Sequence, residues 1–503
     1  MPDSTRAPGI GEPVLVVHGV VQAARANDGE SPGGRRLAAL WRACGTLGMT
    51  GPAGDALPDL TSTGPTWRVR AERRGTDSAA GARALLWTRG QLAGISVRLM
   101  PGPAEDAAAL LGRWEGTAGP AHPDERLLGE AIVLCAVSRL ARRGDTHIGP
   151  RMVALTARLG LPPVRPEAWG RSPEGSLLWE PGTPGQWPRE RRLVMLTPSG
   201  TRPESWCWNG YGADDLAPLA LHLVHAAQAR HHHHVLTTQR GGVEEGHRAL
   251  QDATDALGRW HARAVSTAAA PGHLTEKMAR AMERLRGDTH TLAAARTDLA
   301  TLARSGEVFL SNLRRAVPPT PGERPGSPLA RDRALATSLT EAAGDLGRDV
   351  EEVLERARSV IDLAGGFVTA ETERRRAHGA TVQTSVVAAI VMLLGAVQAF
   401  QYRIHLAHVL AAPLICAAAS VALAAPAGIQ RLLPGGRSPD APVLFDSLTL
   451  GAVGGTCSWL LCTLVGHLAG HRAAPVAWSL TAGLVAATVA TSASAYAFRR
   501  ARG

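Results

Sequence analysis

Four long apolar stretches occupy the C-terminal part of the chain, at residues 381–402, 406–430, 443–468 and 475–498. Each approaches the roughly 20 apolar residues that a helix needs to cross a hydrocarbon core of about 30 Å. They are apolar on all sides, which is typical of membrane helices, although a buried helical core is the alternative. Small residues are frequent in them and allow membrane helices to pack closely. The pattern therefore predicts a four-helix transmembrane region over residues 381–498.

Arginines flank these stretches in an alternating pattern. Groups of two or three lie before the first stretch, after the second and after the fourth, whereas Arg403 and Arg472 stand alone after the first and third. Basic residues stay in the cytoplasm during insertion, so we expect a multi-pass protein of the cytoplasmic membrane with both termini cytoplasmic and a basic tail at 499–503. The membrane-flanking group, which would also attract anionic lipid, comprises Arg374, Arg375, Arg376, Arg431, Arg437, Arg499, Arg500 and Arg502.

Short apolar runs alternate with amphipathic stretches and Gly/Pro breaks in the N-terminal part, which predicts an α+β head domain at residues 13–212 after a flexible tail at 1–12. Its first elements follow the order strand, helix, two strands, helix, strand, which is the βαββαβ plan of ferredoxin-like folds. Residues 130–137 fit a strand or a helix, and we favour the strand. The predicted elements are strands at 14–22, 83–89, 92–100 and 130–137, helices at 34–47 and 103–114, and an extra strand at 66–72. A second small layer is predicted from a helix at 148–159 and strands at 176–180 and 191–197.

Helical periodicity dominates the middle of the chain. Apolar residues recur at spacings of three and four over residues 213–317, which predicts a coiled-coil region whose seams pack within one chain or between chains of a homo-oligomer. Asp214 or Asp215 would cap its first helix. A proline-rich linker at 318–328 follows, and a juxtamembrane helix at 329–380 then leads to the first apolar stretch, with a possible kink at Gly365 and Gly366. A helical stalk would therefore connect the head to the membrane.

The net charge of +10 does not indicate a nucleic-acid partner. The basic residues are spread over the whole chain, only Lys277 is a lysine, and no cluster of basic and aromatic residues is present. The six cysteines show no zinc or redox spacing. Cys135, among apolar neighbours, fits a small core residue. We expect the thiols to be reduced in a cytoplasmic head.

The sequence carries no recognisable catalytic motif of the phosphate-loop, nucleophile-elbow, zinc-protease or kinase type. Histidines are the strongest candidates for chemistry, namely His222, His225 and the run 231–234. A pair of them could supply two metal ligands, but no nearby carboxylate or cysteine completes a set, so packing or solvent-exposed roles are favoured. We therefore expect no catalytic residue, no cofactor and no metal site.

Several packing motifs resemble those of one protein family. They are residues 37–50, 177–180 and 192–197, Trp206 with Trp208, residues 216–227, and the junction at 373–376 with 398–402. These motifs are similar to those of the CATRA family, the caspase and TPR-repeat-associated proteins of actinobacterial conflict systems. The resemblance implies a role in an immunity-like response beside a caspase-like protease and TPR-containing or NTPase partners. It implies no activity of the chain itself, and members commonly end after two membrane spans.

Three functions follow as hypotheses. The favoured one is a non-enzymatic, membrane-anchored adaptor or sensor whose head and stalk bind partner proteins. The second is a membrane-perturbing effector, in which the two additional spans contribute to a pore that the head triggers. The third is a small-ligand sensor or enzyme with its site in the α/β head, because such folds can carry sites that no motif reveals.

Overall fold

The computed structural model describes residues 11–51, 54–61, 64–76, 81–102, 105–119, 127–142, 148–166, 168–182, 190–200, 202, 204–209, 213–266, 272–402, 408–432, 443–470 and 476–500. Most of the expected N-terminal tail, together with Arg403, Arg437, Arg472 and Arg502, lies outside these residues. The chain divides into two compact units, of which one is Met1–His247 with Thr291–Glu352 and the other is Arg248–His290 with Val353–Gly503.

The N-terminal region is built on a nine-stranded sheet with the order β2-β3-β4-β5-β1-β6-β9-β8-β7. All neighbouring strands are antiparallel except β6 and β9, which are parallel. An α/β sheet region followed by a long helical region is thus confirmed. The strands are β1 (Gly11–Gln22), β2 (Met49–Thr50), β3 (Arg68–Gly75), β4 (Arg83–Arg89), β5 (Leu92–Leu99), β6 (Gly129–Val137), β7 (Trp169–Arg171), β8 (Leu177–Trp179) and β9 (Glu190–Thr197).

The ferredoxin-like order is present at the centre of the sheet. β4, β5, β1 and β6 are neighbours in that order, with α2 (Pro32–Thr46) after β1 and α3 (Ala107–Ala118) after β5. Ser31 caps α2 by accepting a hydrogen bond from the Gly34 amide at 2.9 Å. Asp106 caps α3 in the same way through Ala109, also at 2.9 Å, so this helix begins later than residue 103, the predicted start. A four-residue helix, α1 (Ala23–Ala26), precedes α2.

Alternate residues of the central strands point to opposite sides of the sheet, and both faces are covered by other elements. On one face Leu15, Val17 and Leu134 pack in a cluster with Trp41 of α2 and Trp114 of α3. α4 (Ile148–Arg158) adds Met152 to the same cluster. On the other face a second cluster contains Val14, Val16 and Val133 together with the tryptophan turn 204–208 and the start of the next helix. Both the sheet and this helix therefore contribute to one core.

Three long helices form the middle of the chain: α5 (Pro218–Ser266), α6 (Gly272–Ala316) and α7 (Pro328–Tyr402). They pack on one another within the chain, as the His232 ring of α5 shows by lying 5.0 Å from the Phe309 ring of α6. In the second unit Arg356 of α7 pairs with Asp255 of α5 at 2.7 Å. The apolar seams of these helices therefore pack within one chain, which is one of the two predicted alternatives. The helix α7 continues without interruption through Gly365 and Gly366.

The predicted cap of the first long helix was wrong. α5 begins at Pro218, and Asp215 instead pairs with Arg89 at the end of β4, at 3.1 Å. Its carboxylate also accepts the amide of Leu216, its immediate neighbour. The contact with Arg89 holds the segment before α5 on the sheet, which a residue pattern alone does not show.

The C-terminal helices are α8 (His408–Leu432), α9 (Val443–Gly470) and α10 (Val476–Arg500). Gly455 of α9 faces Gly483 and Ala487 of α10 so closely that a Cβ atom at Gly455 would lie 2.7 Å from the Ala487 Cβ. Among the residues that the structure describes, one helical segment, Ser447–Ala469 in α9, is long and apolar enough to cross a membrane, and the apolar segment Leu410–Ala424 in α8 is shorter. The four-helix transmembrane region and its multi-pass topology are therefore not confirmed.

Candidate functional site

A cluster of charged side chains lies in the interior where the sheet meets two of the long helices. Glu180 directly follows β8, Arg191 lies on β9, and these two neighbouring strands bring them together. His222 and Arg230 lie on α5, and Asp332 lies near the start of α7. We call these five residues the junction cluster. Their side chains are between 0% and 6% exposed, so every charge in the cluster has been removed from water.

Arg191 is the centre of the junction cluster. Its Nε and Nη2 donate to the two carboxylate oxygens of Glu180 at 2.8 and 2.9 Å, which is the bidentate geometry of a strong arginine–carboxylate pair. Its Nη1 donates to Oδ2 of Asp332 at 2.9 Å. Asp332 accepts two further bonds, from Arg230 Nη2 at 2.6 Å and from His222 Nε2 at 3.1 Å. One carboxylate thus holds together a strand and two helices.

The ionisation of the cluster follows from burial and from these pairings. Burial alone would raise the pKa of Asp332, but the guanidinium groups of Arg191 and Arg230 hold that pKa well below its usual range. Burial lowers the pKa of His222, so its imidazole is neutral at pH 7 and donates from Nε2. Two arginines and two carboxylates then leave the cluster with no net charge. Buried ions are tolerated when they are paired in this way, and removal of one partner is costly.

A second buried polar chain crosses the same face of the sheet. His18 lies opposite Ser96 in the pairing of β1 with β5, and its Nε2 donates to the Cys207 carbonyl at 3.0 Å because a carbonyl can only accept. Its Nδ1 must then accept from the Ser96 hydroxyl at 2.9 Å, while that hydroxyl accepts from Trp87 Nε1 at 3.0 Å. Burial lowers the pKa of His18 to about 4, so it is neutral at pH 7.

A small pocket lies between this polar chain and the junction cluster, and His18, Glu130, Arg191 and Arg230 contribute to its lining. Glu130 is already held by Arg36 through two bonds of 3.1 Å. The remaining walls are apolar, from residues such as Leu223. The carboxylates beside the pocket are therefore engaged in ion pairs, which suits a role in fixing the junction better than a role in proton transfer.

His222 and His225, near the start of α5, are both buried. His222 belongs to the junction cluster, and His225 Nδ1 lies 3.0 Å from Gln228 Oε1. In the part of the chain that the structure describes, no group of three or more His, Cys, Asp or Glu side chains is arranged to hold a metal ion.

The membrane-flanking arginines are placed only in part. Arg374 and Arg375 both pair with the buried Glu371, at 3.3 and 2.9 Å, and remain about half exposed. Arg376 is exposed on the same helix. Arg431 lies in α8, and Arg499 and Arg500 end α10. Arg437 and Arg502 lie outside the described residues, so the flanking pattern as a whole stays a prediction.

The junction cluster was not predicted from the sequence. His222 was named as a candidate residue, whereas Arg230 and Asp332 were not. A signal was nevertheless present, because Arg191 lies in an apolar strand and Glu180 follows another, and charges in such places usually have buried partners. Which partners they have depends on how distant segments meet: Asp332 lies 141 residues after Arg191 and 110 after His222.

In this fold an α/β sheet domain is fixed onto a helical domain by the buried ion pairs of the junction cluster. Residues 14–210 match the CASPASE and TPR Repeat-Associated N-terminal domain, and residues 217–357 match the CASPASE and TPR Repeat-Associated C-terminal domain. The chain therefore belongs to the CATRA family, as its packing motifs indicated. No curated protein and no solved structure matches it. The junction cluster joins the two matched domains, and α8 to α10 lie beyond both.

Proposed function

We propose that this protein is a membrane-anchored adaptor or sensor of a bacterial conflict system and has no enzymatic activity of its own. In this role its two CATRA domains bind a caspase-like protease and TPR-containing or NTPase partners, and its C-terminal helices hold the assembly at the cytoplasmic membrane. The description of the family as caspase- and TPR-repeat-associated supports the choice of partners.

The observation that carries the proposal is the composition of α7. Near its start this helix contributes Asp332 to the junction cluster, and further along it exposes apolar side chains, among them Val387, Val391 and Leu394, each more than half exposed. Exposed apolar residues in such numbers are unfavourable in water and favourable in lipid. One continuous helix thus belongs both to the CATRA fold and to an apolar segment preceded by Arg374–Arg376.

The α9 and α10 helices support membrane attachment independently. Their facing sides are small residues, and their outer sides carry large apolar residues. Hydroxyls within them bond back to carbonyls of the same helix, as Thr488 does to Leu484 at 3.0 Å, so they need no water. The exposed apolar residues are Leu448, Leu450, Leu461, Leu464, Val465 and Leu468 on α9, and Trp478, Leu480, Leu484, Val485, Val489 and Tyr496 on α10.

Membrane fractionation of the full chain tests the anchor. We expect the protein to remain in the pellet after alkaline carbonate extraction of bacterial membranes. The double variant Leu461→Arg with Val465→Arg should shift it towards the soluble or aggregated fraction, because each arginine costs about 3 kcal/mol at the centre of a membrane helix. Val308→Arg, on the exposed surface of α6, is the matched control and should not change the distribution. Complete carbonate extraction of the unchanged chain would contradict the anchor.

Reconstitution tests the adaptor role and separates it from its alternatives. The full chain in vesicles should bind a purified caspase-like protease or TPR-containing protein saturably, and vesicles filled with dye should stay intact during binding. Dye release on binding would instead favour the pore-forming effector. Binding of a small molecule at the pocket beside Arg191, with no binding of either protein class, would favour the ligand sensor.

A further inference from the structure

Two cysteines from distant parts of the chain meet in the interior of the N-terminal region. The Sγ atoms of Cys135 and Cys207 lie 3.1 Å apart, although the residues are 72 positions apart in sequence. Both side chains are fully buried in the cluster that also contains Trp206, Leu219 and Leu223. The structure holds both as free thiols. A disulfide needs a sulfur separation of about 2.05 Å, so a movement of about 1 Å would join them.

The two cysteines differ in how firmly their backbone is held. Cys135 lies within β6 and is paired with Val14 of β1 on one side and with Met195 of β9 on the other. Cys207 lies in a turn, where its amide donates to the Glu204 carbonyl at 3.0 Å and its carbonyl accepts from His18. A strand in the middle of a sheet cannot shift alone, whereas a turn can. The required approach would therefore be made by Cys207.

We propose that Cys135 and Cys207 are a redox modification site at which hydrogen peroxide or a related peroxide forms a reversible disulfide. In the first step the Cys207 sulfur attacks one peroxide oxygen, the O–O bond breaks, and Cys207 sulfenic acid and one water are formed. In the second step the Cys135 sulfur attacks the Cys207 sulfur and displaces the sulfenic oxygen as a second water. Two thiols are oxidised and one peroxide is reduced to two waters.

The order of the steps follows from the surroundings of the two thiols. Burial raises the pKa of Cys135 well above its usual value, so Cys135 stays protonated and is not the sulfur that first attacks the peroxide. The neighbouring turn is the part that can open to admit a small oxidant. Because both sulfurs are buried, the reaction should proceed at the rate of this opening rather than on contact with the oxidant. Cytosolic disulfides of this kind are usually transient and redox-sensing.

The bond would fix the segment that connects the two CATRA domains. Residue 207 lies shortly before the end of the N-terminal match at 210, and α5 begins the C-terminal domain. The carbonyl of Trp206 accepts the Leu219 amide at 3.0 Å, so the turn is already joined to the start of α5. A Cys135–Cys207 disulfide would tie that turn covalently to β6, an interior strand of the sheet. Oxidation would then hold the turn, and through Trp206 the start of α5, against the sheet.

Thiol mapping of the full chain in detergent tests the site. We expect peroxide treatment, followed by acid quenching and alkylation after denaturation, to yield a crosslinked peptide pair containing residues 135 and 207, with loss of alkylation at both. Dithiothreitol should restore both thiols. The thermal midpoint followed by tryptophan fluorescence should rise by several degrees on oxidation, because the bond closes a long loop. Free thiols at both positions after prolonged treatment would overturn the proposal.

Single serine variants supply the controls. Cys207→Ser should abolish the crosslink and the rise of the midpoint. Cys44→Ser should leave both intact, because Cys44 is equally buried but lies in the cluster on the other face of the sheet, with its thiol donating to the Leu40 carbonyl. If Cys207→Ser fails to fold, the wild-type peptide map decides the matter alone. A crosslink that forms only in denaturant, or a midpoint that falls on oxidation, would also overturn the proposal.

Discussion

Arg191 Nη1 lies 2.9 Å from Oδ2 of Asp332, and this contact joins β9, the strand that runs parallel to β6, to the start of α7. The pair belongs to the two domains that define the family, since Arg191 lies in the N-terminal match and Asp332 in the C-terminal one. The stability of each domain is therefore linked to its contact with the other through a small set of buried charges.

Asp332→Asn should destabilise the fold strongly. The substitution keeps the shape of the side chain but leaves Arg191 and Arg230 with one carboxylate between them, and an uncompensated buried charge costs about 3–5 kcal/mol. The measurement is thermal or urea unfolding of the full chain in detergent, followed by the fluorescence of tryptophans buried in the sheet region, such as Trp41 and Trp179.

Asp345→Asn is the control for this prediction. It removes a carboxylate from the same helix, but Asp345 is largely exposed and pairs with Arg348 one turn away. Exposed pairs contribute about 0–1 kcal/mol, so the unfolding transition should hardly move. Equal effects of the two variants would show that the junction cluster does not stabilise the fold.

The N-terminal region should lose stability as the pH falls from about 6.5 to about 4. In the unfolded chain His18 takes up a proton near pH 6.5, whereas in the folded chain burial lowers its pKa to about 4. The unfolded state therefore binds more protons in this window. As the pH falls through it, His18 lowers the free energy of unfolding by as much as about 3 kcal/mol. Above pH 6.5 its contribution is constant.

His18→Gln isolates this residue from other groups that titrate, such as His225, whose pKa burial also lowers to about 4. Glutamine does not ionise and retains an N–H for the Cys207 carbonyl. The thermal midpoint of the variant should fall less steeply between pH 7 and pH 5 than that of the unchanged protein. Identical pH profiles would mean that His18 does not contribute to the dependence.

Gly94→Ala should destabilise the sheet. A Cβ atom there would collide with the Trp87 ring and would lie 2.5 Å from the Gly19 carbonyl, and both neighbours are held in adjacent strands. Overpacking of this type costs about 1–3 kcal/mol. Gly112→Ala in α3 has no neighbouring atom within 4 Å and should raise stability by about 0.5–1 kcal/mol. The two unfolding midpoints should therefore move in opposite directions, and a shift in the same direction would contradict this reading of Gly94.

Gly455→Ile should separate α9 from α10 without reducing the apolar character of α9. The added side chain would meet the Gly483 carbonyl and Ala487, so the two helices could no longer approach as closely. We expect faster hydrogen exchange of α10 amides in detergent micelles, while carbonate extraction should still leave the protein in the membrane pellet. Leu468→Ile, at an exposed position of α9, should change neither result. Unchanged exchange in Gly455→Ile would show that this contact does not hold the helices together.

The central strands could be predicted from the sequence because the residue patterns that define them lie within short segments. Alternating apolar residues and the Gly90–Gln91 hairpin determine which residues form β4 and β5, and the chain order then favours one ferredoxin-like arrangement. The short strands β2 and β7 were not predicted. Two or three residues such as Met49 and Thr50 carry too little periodicity to be distinguished from a loop.

The functional features were not predictable in the same way, because they depend on contacts between distant segments. Cys135 was expected to be a small core residue, and only the fold shows that Cys207 lies beside it. Asp214 or Asp215 was expected to cap α5, but the helix begins at Pro218 and the Asp215 carboxylate pairs with Arg89 at 3.1 Å. A homo-oligomer formed through the apolar seams stays a prediction. In the structure these seams pack against one another within one chain.

Because α7 is continuous from Pro328 to Tyr402, the direction in which each side chain points around the helix axis depends on the number of residues before it. Successive residues of a helix lie about 100° apart around its axis, so deletion of one residue between Arg356 and Val387 would rotate every later side chain by that angle relative to Arg356. Deletion of seven residues would restore the phase to within about 20°. The number of residues in this segment is therefore constrained by angle as well as by length, and tolerated insertions or deletions should come in whole heptads.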